Sequence, residues 1–184
     1  MLQNKGKFKA RILDATAIHR ILTRIAHEIL ERNPNAEEVV LIGMGGRGGL
    51  LSKRLSQIMK DIEGKPIATG ALDILSYRDD LTKIEARPRV KKLEIPFDLD
   101  GKTVVLVDDV LYTGRSIRAA LDSLTSHGAP KAIQAAVLID RGHRELPIHA
   151  DYVGKNVPTA SNEIVRVMVK EIDKEDQVLI TEKE

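Results

Sequence analysis

A run of apolar residues that ends on two carboxylates constrains the fold of this chain more than any other feature. Residues 104–107 are all valine or leucine, and Asp108 and Asp109 follow them directly. Short apolar runs are typical of strands buried on both faces of a parallel sheet, and such sheets bind ligands beyond the carboxyl ends of their strands. Residues 113–116 then lead into the helical pattern of residues 117–121. This stretch therefore predicts a strand, a loop and a helix N-terminus in direct succession.

The two halves of this stretch favour different parts of one ligand. The carboxylates of Asp108 and Asp109 can accept hydrogen bonds from sugar hydroxyls and can bind Mg²⁺ directly or through water. Thr113, Gly114 and Ser116 offer hydroxyl and backbone N–H groups at a helix start, where anions bind. A ribose with a 5′-phosphate would satisfy both halves. The alternative is that the carboxylates only end a strand and the second half only caps a helix, but their contiguity favours the ligand.

Strand and helix patterns alternate along the rest of the chain. Helices are predicted from Asp14 to Arg32 and over residues 50–62 and 116–126, and strands over residues 39–42, within 66–75, and over 103–107, 133–139 and two segments of 164–180. This order predicts an α/β fold with a central, mainly parallel sheet, helices on both faces and a C-terminal β hairpin. One domain over residues 1–184 is expected, with an N-terminal extension over residues 1–9 and a mobile loop over residues 81–96.

The composition excludes several classes of function. The 184 residues carry a net charge of only +2, so any role in nucleic-acid binding requires a local basic patch. The chain has no cysteine, which excludes disulfides and thiolate chemistry, and its 3% of aromatic residues argues against a platform of stacked bases. No apolar run approaches the roughly 18 to 20 residues that span a membrane, and no signal peptide is recognisable. We therefore expect a cytoplasmic protein.

A glycine-rich segment, residues 43–48, follows the predicted strand at residues 39–42 and matches the dinucleotide-binding pattern G-x-G-x-x-G. That pattern also requires an acidic residue about 20 positions further on, at the end of the next strand. Asp61 and Glu63 stand at this distance, but they precede the predicted strand that begins near residue 66. A nicotinamide or flavin site is therefore disfavoured, and the residues alone leave a plain tight turn as the alternative.

The stretch from Asp108 to Ser116 resembles the phosphoribosyl pyrophosphate (PRPP) motif of type I phosphoribosyltransferases. Together with residues 77–81, 140–148 and 154–159 it resembles one bacterial subfamily, the bifunctional pyrimidine operon attenuation regulators and uracil phosphoribosyltransferases. The similarity covers about residues 10–181. It implies the type I phosphoribosyltransferase fold and the transfer of ribose 5-phosphate from PRPP to uracil, which yields UMP and pyrophosphate. It also implies Mg²⁺ as the cofactor.

The resemblance assigns roles to individual residues. It implies that Arg47, Asp108 and Asp109 are catalytic, with both aspartates also holding Mg²⁺. The substrate-binding set that it implies is Arg47, Gly48, Tyr77, Arg78, Asp79, Asp80, Asp108, Asp109, Val110, Leu111, Tyr112, Thr113, Gly114, Arg115, Ser116, Val157, Pro158 and Thr159. Gly45 and Gly46 depart from the family pattern, which has larger residues at the pyrophosphate loop. A regulator that binds PRPP and UMP with little or no catalysis therefore remains an alternative.

A second set of residues is basic. Thr23, Arg24 and His27 lie within one arc of the first predicted helix, opposite its apolar face, and a solvated helix face is the plain interpretation. The resemblance implies that this arc is part of an RNA-binding surface for the leader mRNA of the pyrimidine operon, and that UMP favours binding. The RNA-binding residues that it implies are Thr23, Arg24, His27 and, on loops, Arg141, His143, Arg144 and Lys155. His149 stands where the family commonly has arginine.

The resemblance further implies a homo-oligomer, either a dimer or a tetramer. Another type I phosphoribosyltransferase without RNA binding is the second alternative, because the basic residues by themselves do not require an RNA partner. A UMP-forming assay combined with an RNA-binding assay separates these possibilities.

Overall fold

The computed structural model describes residues 7–75 and 89–182, and the elements below belong to this part of the chain. They are β1 (Lys7–Leu13), α1 (Ala15–Arg32), β2 (Val39–Met44), α2 (Gly45–Glu63), β3 (Ala68–Leu75), β4 (Arg89–Glu94), β5 (Thr103–Leu111), α3 (Arg115–His127), β6 (Ala132–Asp140), β7 (Tyr152–Asn156), β8 (Glu163–Met168), α4 (Lys170–Asp173) and β9 (Gln177–Glu182). None of the helices in these two ranges combines the length and the apolar composition that a membrane crossing needs.

The larger sheet has six strands in the order β4-β3-β2-β5-β6-β7. All neighbouring strands run parallel except β4, which pairs antiparallel with β3 at one edge. The chain leaves β2 towards β3 on one side, and it leaves β5 towards β6 on the other. The direction of winding therefore reverses between β2 and β5. Open parallel sheets form their ligand crevice beyond the carboxyl ends of the strands at such a switch point.

Helices cover both faces of this sheet, as the sequence predicts. Along β5, Val105 and Val107 pack on the side of α1 and α2, whereas Val104 and Leu106 pack on the side of α3. All four side chains are buried. Burial of an aliphatic side chain of this size contributes about 1.5–3 kcal/mol to folding, so the apolar run fixes β5 between two helical layers.

The ends of the first two helices follow from local capping. The Asp14 side chain accepts a hydrogen bond from the backbone N–H of Ala17 (2.8 Å), which caps the start of α1. Gly64 ends α2 in the left-handed conformation, with φ of 74°. Both boundaries agree with the sequence prediction.

A second, smaller sheet has the antiparallel order β1-β9-β8. Strands β8 and β9 form the predicted C-terminal hairpin, with α4 in the connection. Arg54 of α2 holds this connection through ion pairs to Glu171 (2.6 Å) and Asp176 (2.8 Å). The small sheet is thereby fastened to the helix that begins at the switch point.

Three sequence predictions of loops are wrong in detail. Residues 7–9 begin β1 instead of belonging to an extension, because β1 pairs with β9. Residues 89–94 form β4 within the segment that was expected to be a loop, since an edge strand tolerates the charged residues that it carries. Residues 45–48 are the first turn of α2, and only Gly45 has a positive φ (63°). The remaining part of the expected loop, residues 81–88, lies outside the described residues.

Candidate functional site

Two helix N-termini meet at the switch point. Strand β2 ends at Met44 and α2 begins at Gly45, while the neighbouring β5 ends at Leu111 and α3 begins at Arg115. The approach of α2 to β5 is close, because a Cβ atom added at Gly48 would lie 2.5 Å from the carbonyl oxygen of Val107. The same Cβ would lie 3.3 Å from the Cα atom of Asp108. The first turn of α2 therefore contacts the backbone that carries the acidic pair.

The acidic pair lies near the end of β5 and is partly buried. One oxygen of Asp108 accepts the backbone N–H of Asp109 (2.9 Å), and one oxygen of Asp109 accepts that of Val110 (2.9 Å). Burial and the adjacent Asp109 carboxylate raise the pKa of Asp108 well above its ordinary value. Burial also raises the pKa of Asp109, while its hydrogen bond with Asp108 and the positive charge of Arg47 act in the opposite direction. A cation or a hydroxyl-rich ligand would relieve this concentration of negative charge.

The turn that follows is shaped for an anion. Gly114 has φ of 88° and is the N-cap of α3, and no side chain caps this helix start. The hydroxyl of Thr113 accepts the backbone N–H of Arg115 at 3.4 Å, and Ser116 lies in the first turn of the helix. Thr113 also accepts, through its carbonyl oxygen, the backbone N–H groups of residues 145 and 146 (3.1 and 3.2 Å). The N–H groups at the start of α3 are thus held in a fixed position, as phosphate binding requires.

The other predicted residues of this turn differ in exposure. Val110 is partly buried against the core on the side of α1, and Arg115 is exposed and ion-paired with Glu145. Leu111 is fully in the core, and its carbonyl oxygen accepts the backbone N–H of Arg141 (3.1 Å). The side chain of Leu111 packs between the sheet and α3, so the predicted contact with substrate would involve its backbone.

Arg47, the predicted pyrophosphate ligand, lies in the first turn of α2. Its Nη2 donates to both carboxylate oxygens of Asp173 in α4, at 3.0 and 3.1 Å, and its side chain is 39% exposed. Asp173 also accepts the backbone N–H of Val169 (2.9 Å), which fixes the position of its carboxylate. An anion that approaches Arg47 must therefore compete with Asp173. The sequence carries no local signal for this ion pair, which joins residues 126 positions apart.

The predicted base loop follows β7. Val157 is buried and donates its backbone N–H to the carbonyl of Asp140 (2.8 Å), Pro158 is exposed and Thr159 is partly buried. The Thr159 hydroxyl accepts a hydrogen bond from Nε of Arg141 (3.0 Å). The base loop is therefore connected directly to the end of β6.

Two of the predicted RNA-binding arginines are turned inwards. Arg141 is only 7% exposed, and its guanidinium lies 4.3 Å from the ring centroid of Tyr112. Arg144 is ion-paired with Asp140 and donates to the carbonyl oxygens of Tyr112 (2.7 Å) and Ile148 (2.9 Å). Both guanidinium groups hold the loop after β6, and the RNA contacts that the resemblance implies for them stay predictions.

The remaining basic residues come together at the edge of the larger sheet. Nη2 of Arg24 donates to the carbonyls of Val153 (3.0 Å) and Gly154 (2.7 Å), so α1 is bound to β7. Gly154 permits this contact, since a Cβ there would lie 2.7 Å from the side chain of Ile21. Lys155 follows in β7, rather than on a loop as predicted, and is exposed. We call the surface formed by Thr23, Arg24, His27 and Lys155 the α1–β7 surface.

Comparison with known proteins identifies the family of this chain. A model of the phosphoribosyl transferase domain matches residues 9–172. A protein of Thermoanaerobacter sp. (strain X514) is 60% identical over 177 residues, which cover 96% of this chain and 99% of the relative. A protein of Thermus aquaticus is 56% identical over 178 residues, which cover 97% of this chain and 98% of the relative. Both are named bifunctional protein PyrR. The chain belongs to the phosphoribosyl transferase family, among the PyrR proteins.

Solved structures of more distant proteins agree on the fold. Trypanosoma cruzi hypoxanthine phosphoribosyl transferase superposes with a TM-score of 0.75 at 19% identity, over 98% of this chain and 94% of its own. A Bacillus anthracis hypoxanthine-guanine phosphoribosyltransferase superposes with a TM-score of 0.67 at 19% identity, over 83% of this chain and 84% of its own. The mainly parallel sheet with helices on both faces is therefore the phosphoribosyltransferase fold, as the sequence predicts.

Several predicted residues of the PRPP site converge in this fold. The structure brings Arg47, Gly48, Asp108 and Asp109 together at the switch point. Tyr77, Arg78, Asp79 and Asp80 lie outside the described residues, and their predicted roles stay predictions.

Proposed function

We propose that this chain makes UMP and also senses it to regulate transcription. As a uracil phosphoribosyltransferase it converts uracil and PRPP to UMP and pyrophosphate, and as a UMP-responsive RNA-binding protein it attenuates the pyrimidine operon. The observation that carries the proposal is the acidic pair of β5 between the starts of α2 and α3, at the switch point of the sheet. The identity of 54–60% to several PyrR proteins over nearly the whole chain supports both activities. The protein acts in the cytoplasm as one domain over residues 1–184.

The proposed binding mode follows the polarity of the two loops. Asp108 and Asp109 accept hydrogen bonds from the ribose hydroxyls, and the backbone and hydroxyl groups of residues 113–116 bind the 5′-phosphate. Departure of pyrophosphate leaves positive charge on the sugar ring and places negative charge on the leaving oxygens. Arg47 and the N–H groups at the start of α2 stabilise the leaving group. The reaction needs no nucleophilic side chain.

Mg²⁺ is the proposed cofactor, and the donor set at β5 fits it. Among the residues that the structure describes, no group of three or more histidine, aspartate or glutamate side chains could hold a metal ion alone. Mg²⁺ usually binds one or two carboxylates together with substrate phosphates and water. Asp108 and Asp109 would supply these carboxylates, and a cation between them would offset the repulsion from Asp109 that, together with burial, raises the pKa of Asp108. Bound Mg²⁺ would neutralise charge on the pyrophosphate.

In the proposed function, uracil and RNA bind to separate parts of the protein. Val157, Pro158 and Thr159 form the uracil pocket, chiefly through backbone groups. RNA binds the α1–β7 surface together with His143, which is exposed. Basic residues there contact phosphates, whereas the sequence of a loop or bulge is recognised through its unstacked bases. In a homo-oligomer, either a dimer or a tetramer, more than one copy of this surface would face the leader mRNA.

A coupled experiment tests both activities. The purified chain is incubated with uracil, PRPP and Mg²⁺, and UMP formation is followed by chromatography, while binding to a leader hairpin is titrated with and without UMP. We expect UMP to form and to raise RNA affinity. If UMP does not form but still tightens RNA binding, the chain is a regulator without catalysis. If UMP forms and no RNA binds, the chain is a phosphoribosyltransferase without a regulatory role.

Replacing Arg24 with alanine should weaken RNA binding and reduce its salt dependence. Each phosphate contact that is lost lowers the slope of log affinity against log salt by roughly 0.7 to 0.9. Filter binding at several salt concentrations measures this slope, and UMP formation should be unchanged. Arg32→Ala is the matched control, because Arg32 lies on the same helix, is exposed and pairs with a carboxylate (Asp151), as Arg24 does with Glu28, but is not part of the α1–β7 surface. Equal slopes for the two variants would contradict a role of the α1–β7 surface.

Replacing Asp173 with asparagine should lower the KM for PRPP by up to about fivefold, since an ion pair that is only partly buried contributes roughly 0.2–1 kcal/mol. The substitution frees Arg47 for the pyrophosphate but keeps an oxygen that can accept the N–H of Val169. The Kd for UMP, which lacks pyrophosphate, should not change. Asp176→Asn is the control, because Asp176 pairs with Arg54 instead. An unchanged KM for PRPP would mean that Arg47 does not contact the leaving group.

A further inference from the structure

Three loops of the proposed site meet around one guanidinium. The guanidinium carbon of Arg141 lies 4.3 Å from the ring centroid of Tyr112, in the connection between β5 and α3 that we call the PRPP loop. Nε of Arg141 donates to the hydroxyl of Thr159 (3.0 Å), on the base loop. Its Nη2 donates to the carbonyl of Glu163 at the start of β8 (2.7 Å). We call Tyr112, Arg141, His143 and Thr159 the Arg141 cluster. The two loops that would bind opposite ends of UMP are thus joined through a single side chain.

The partners that Arg141 contacts directly are an aromatic face, a hydroxyl and a carbonyl oxygen, none of which carries a full charge. Burial lowers the pKa of Arg141, and the nearby Tyr112 and Glu163 oppose this effect. A buried charge with neutral partners depends strongly on the position of each partner, because the loss of one leaves the charge poorly solvated. A displacement of Tyr112 or Thr159 is therefore transmitted to the rest of the cluster.

His143 connects this cluster to the surface. Its backbone has a positive φ of 59°, a conformation that costs a non-glycine residue roughly 1–2 kcal/mol. Two contacts hold it there: Nε2 donates to the carbonyl oxygen of Thr159 (2.6 Å), and the ring packs edge-to-face on Tyr112 with centroids 5.9 Å apart. Both partners belong to the proposed nucleotide site. The exposed imidazole is consequently placed by residues of the PRPP and base loops.

We infer that Arg141 is a positioning residue that couples UMP occupancy to the placement of His143 on the RNA-binding surface. The inference rests on the proposed function and deepens it, because it assigns the link between the two activities to named contacts. UMP touches the PRPP loop with its ribose phosphate and the base loop with its uracil, so it holds Tyr112 and Thr159 in one arrangement. RNA that requires His143 in its left-handed conformation binds this arrangement more tightly. Two sites are coupled when one ligand stabilises the arrangement to which the other ligand binds more tightly, as UMP does here for RNA.

The test compares RNA affinity with and without saturating UMP, so that a weaker UMP Kd does not affect the result. Coupling between two sites typically amounts to about 5- to 150-fold in affinity. For Arg141→Lys, which keeps the charge but not the planar fork, we expect this ratio to fall towards 1. Because the ratio is taken against the RNA affinity of the same variant without UMP, a change in that basal affinity does not affect the result. A ratio equal to that of the wild type would overturn the inference while the proposed function stands.

Two substitutions at Tyr112 keep the test decisive if Arg141→Lys folds poorly, and a third, at His143, tests the route of the coupling. Tyr112→Phe retains the ring under the guanidinium and should keep the wild-type ratio, whereas Tyr112→Leu should lose it. In a double-mutant cycle, His143→Ala should lower the ratio, and Arg141→Lys should then have no additional effect. Full additivity of the two substitutions would contradict transmission through His143. If the wild-type chain shows no effect of UMP on RNA binding, the proposed regulatory function itself fails.

Discussion

Replacing Gly48 with alanine should destabilise the protein and abolish UMP formation. The new Cβ would lie 2.5 Å from the carbonyl oxygen of Val107 and 3.3 Å from the Cα atom of Asp108. Both are backbone atoms of a buried strand, so α2 must move away from β5. Overpacking of this kind costs about 1–3 kcal/mol, and the displaced helix start would no longer face the leaving group.

Gly49→Ala is the matched control for this prediction. No atom lies within 4 Å of a Cβ added at Gly49, although the residue is the next one in the same helix. Alanine stabilises a helix relative to glycine by about 0.5–1 kcal/mol, so this variant should be slightly more stable than the wild type. Urea denaturation and the UMP-forming assay measure both effects. Similar stabilities for the two variants would show that α2 and β5 are not in such close contact.

Replacing Asp109 with asparagine should weaken the binding of PRPP and UMP by about 10- to 100-fold. Hydrogen bonds to charged groups contribute roughly 1.5–3 kcal/mol, and the amide also lacks the charge that favours Mg²⁺. Isothermal titration calorimetry measures both affinities. Asp122→Asn, at an exposed position of α3, removes the same charge away from the site and should leave them unchanged. Wild-type affinities in Asp109→Asn would remove this carboxylate from the proposed site.

The same substitution should stabilise the ligand-free protein, and more so at higher pH. Because burial raises the pKa of Asp109, the folded state binds a proton more tightly than the unfolded state. The resulting stability is present below the ordinary pKa of 3.8 and is lost as the pH rises through the folded pKa. An asparagine side chain does not titrate, so the variant does not lose stability in this way as the pH rises. Thermal unfolding in EDTA should therefore show a gain in Tm for the variant at pH 8 that is smaller at pH 4.5, and the reverse order would contradict a raised pKa.

Local sequence patterns predict the elements of this fold that depend on local interactions. The apolar run before Asp108 predicts β5 and its burial, and Asp14 predicts the start of α1 through its cap. Strand β1 was not predicted, although Phe8, Ala10 and Ile12 alternate with basic residues in the pattern of a half-exposed strand. Its partner β9 lies at the other end of the chain, so no local pattern identifies the pairing.

The site was predictable only where its residues are contiguous. The acidic pair and the turn after it belong to one stretch, whereas the ion pair of Arg47 with Asp173 depends on how α4 packs on α2. The glycines at residues 45–48 suggest a loop because glycine disfavours helices, but tertiary packing needs glycine at Gly48. The family resemblance places Arg141 on the RNA-binding surface, whereas its side chain is buried in the structure. Its burial depends on the ring of Tyr112 and the hydroxyl of Thr159, which no local pattern brings together.

The two halves of the site are anchored in different hydrophobic cores. Leu51 and Leu55 fix α2 in the core on one face of the sheet, and Ile117 and Ala120 fix α3 in the core on the other. Substitutions at the start of α2 can therefore alter how the leaving group is held without disturbing the ribose-phosphate half, which α3 supports. Evolution can in this way tune the rate of UMP synthesis and the sensitivity to UMP as two separate properties of one small protein.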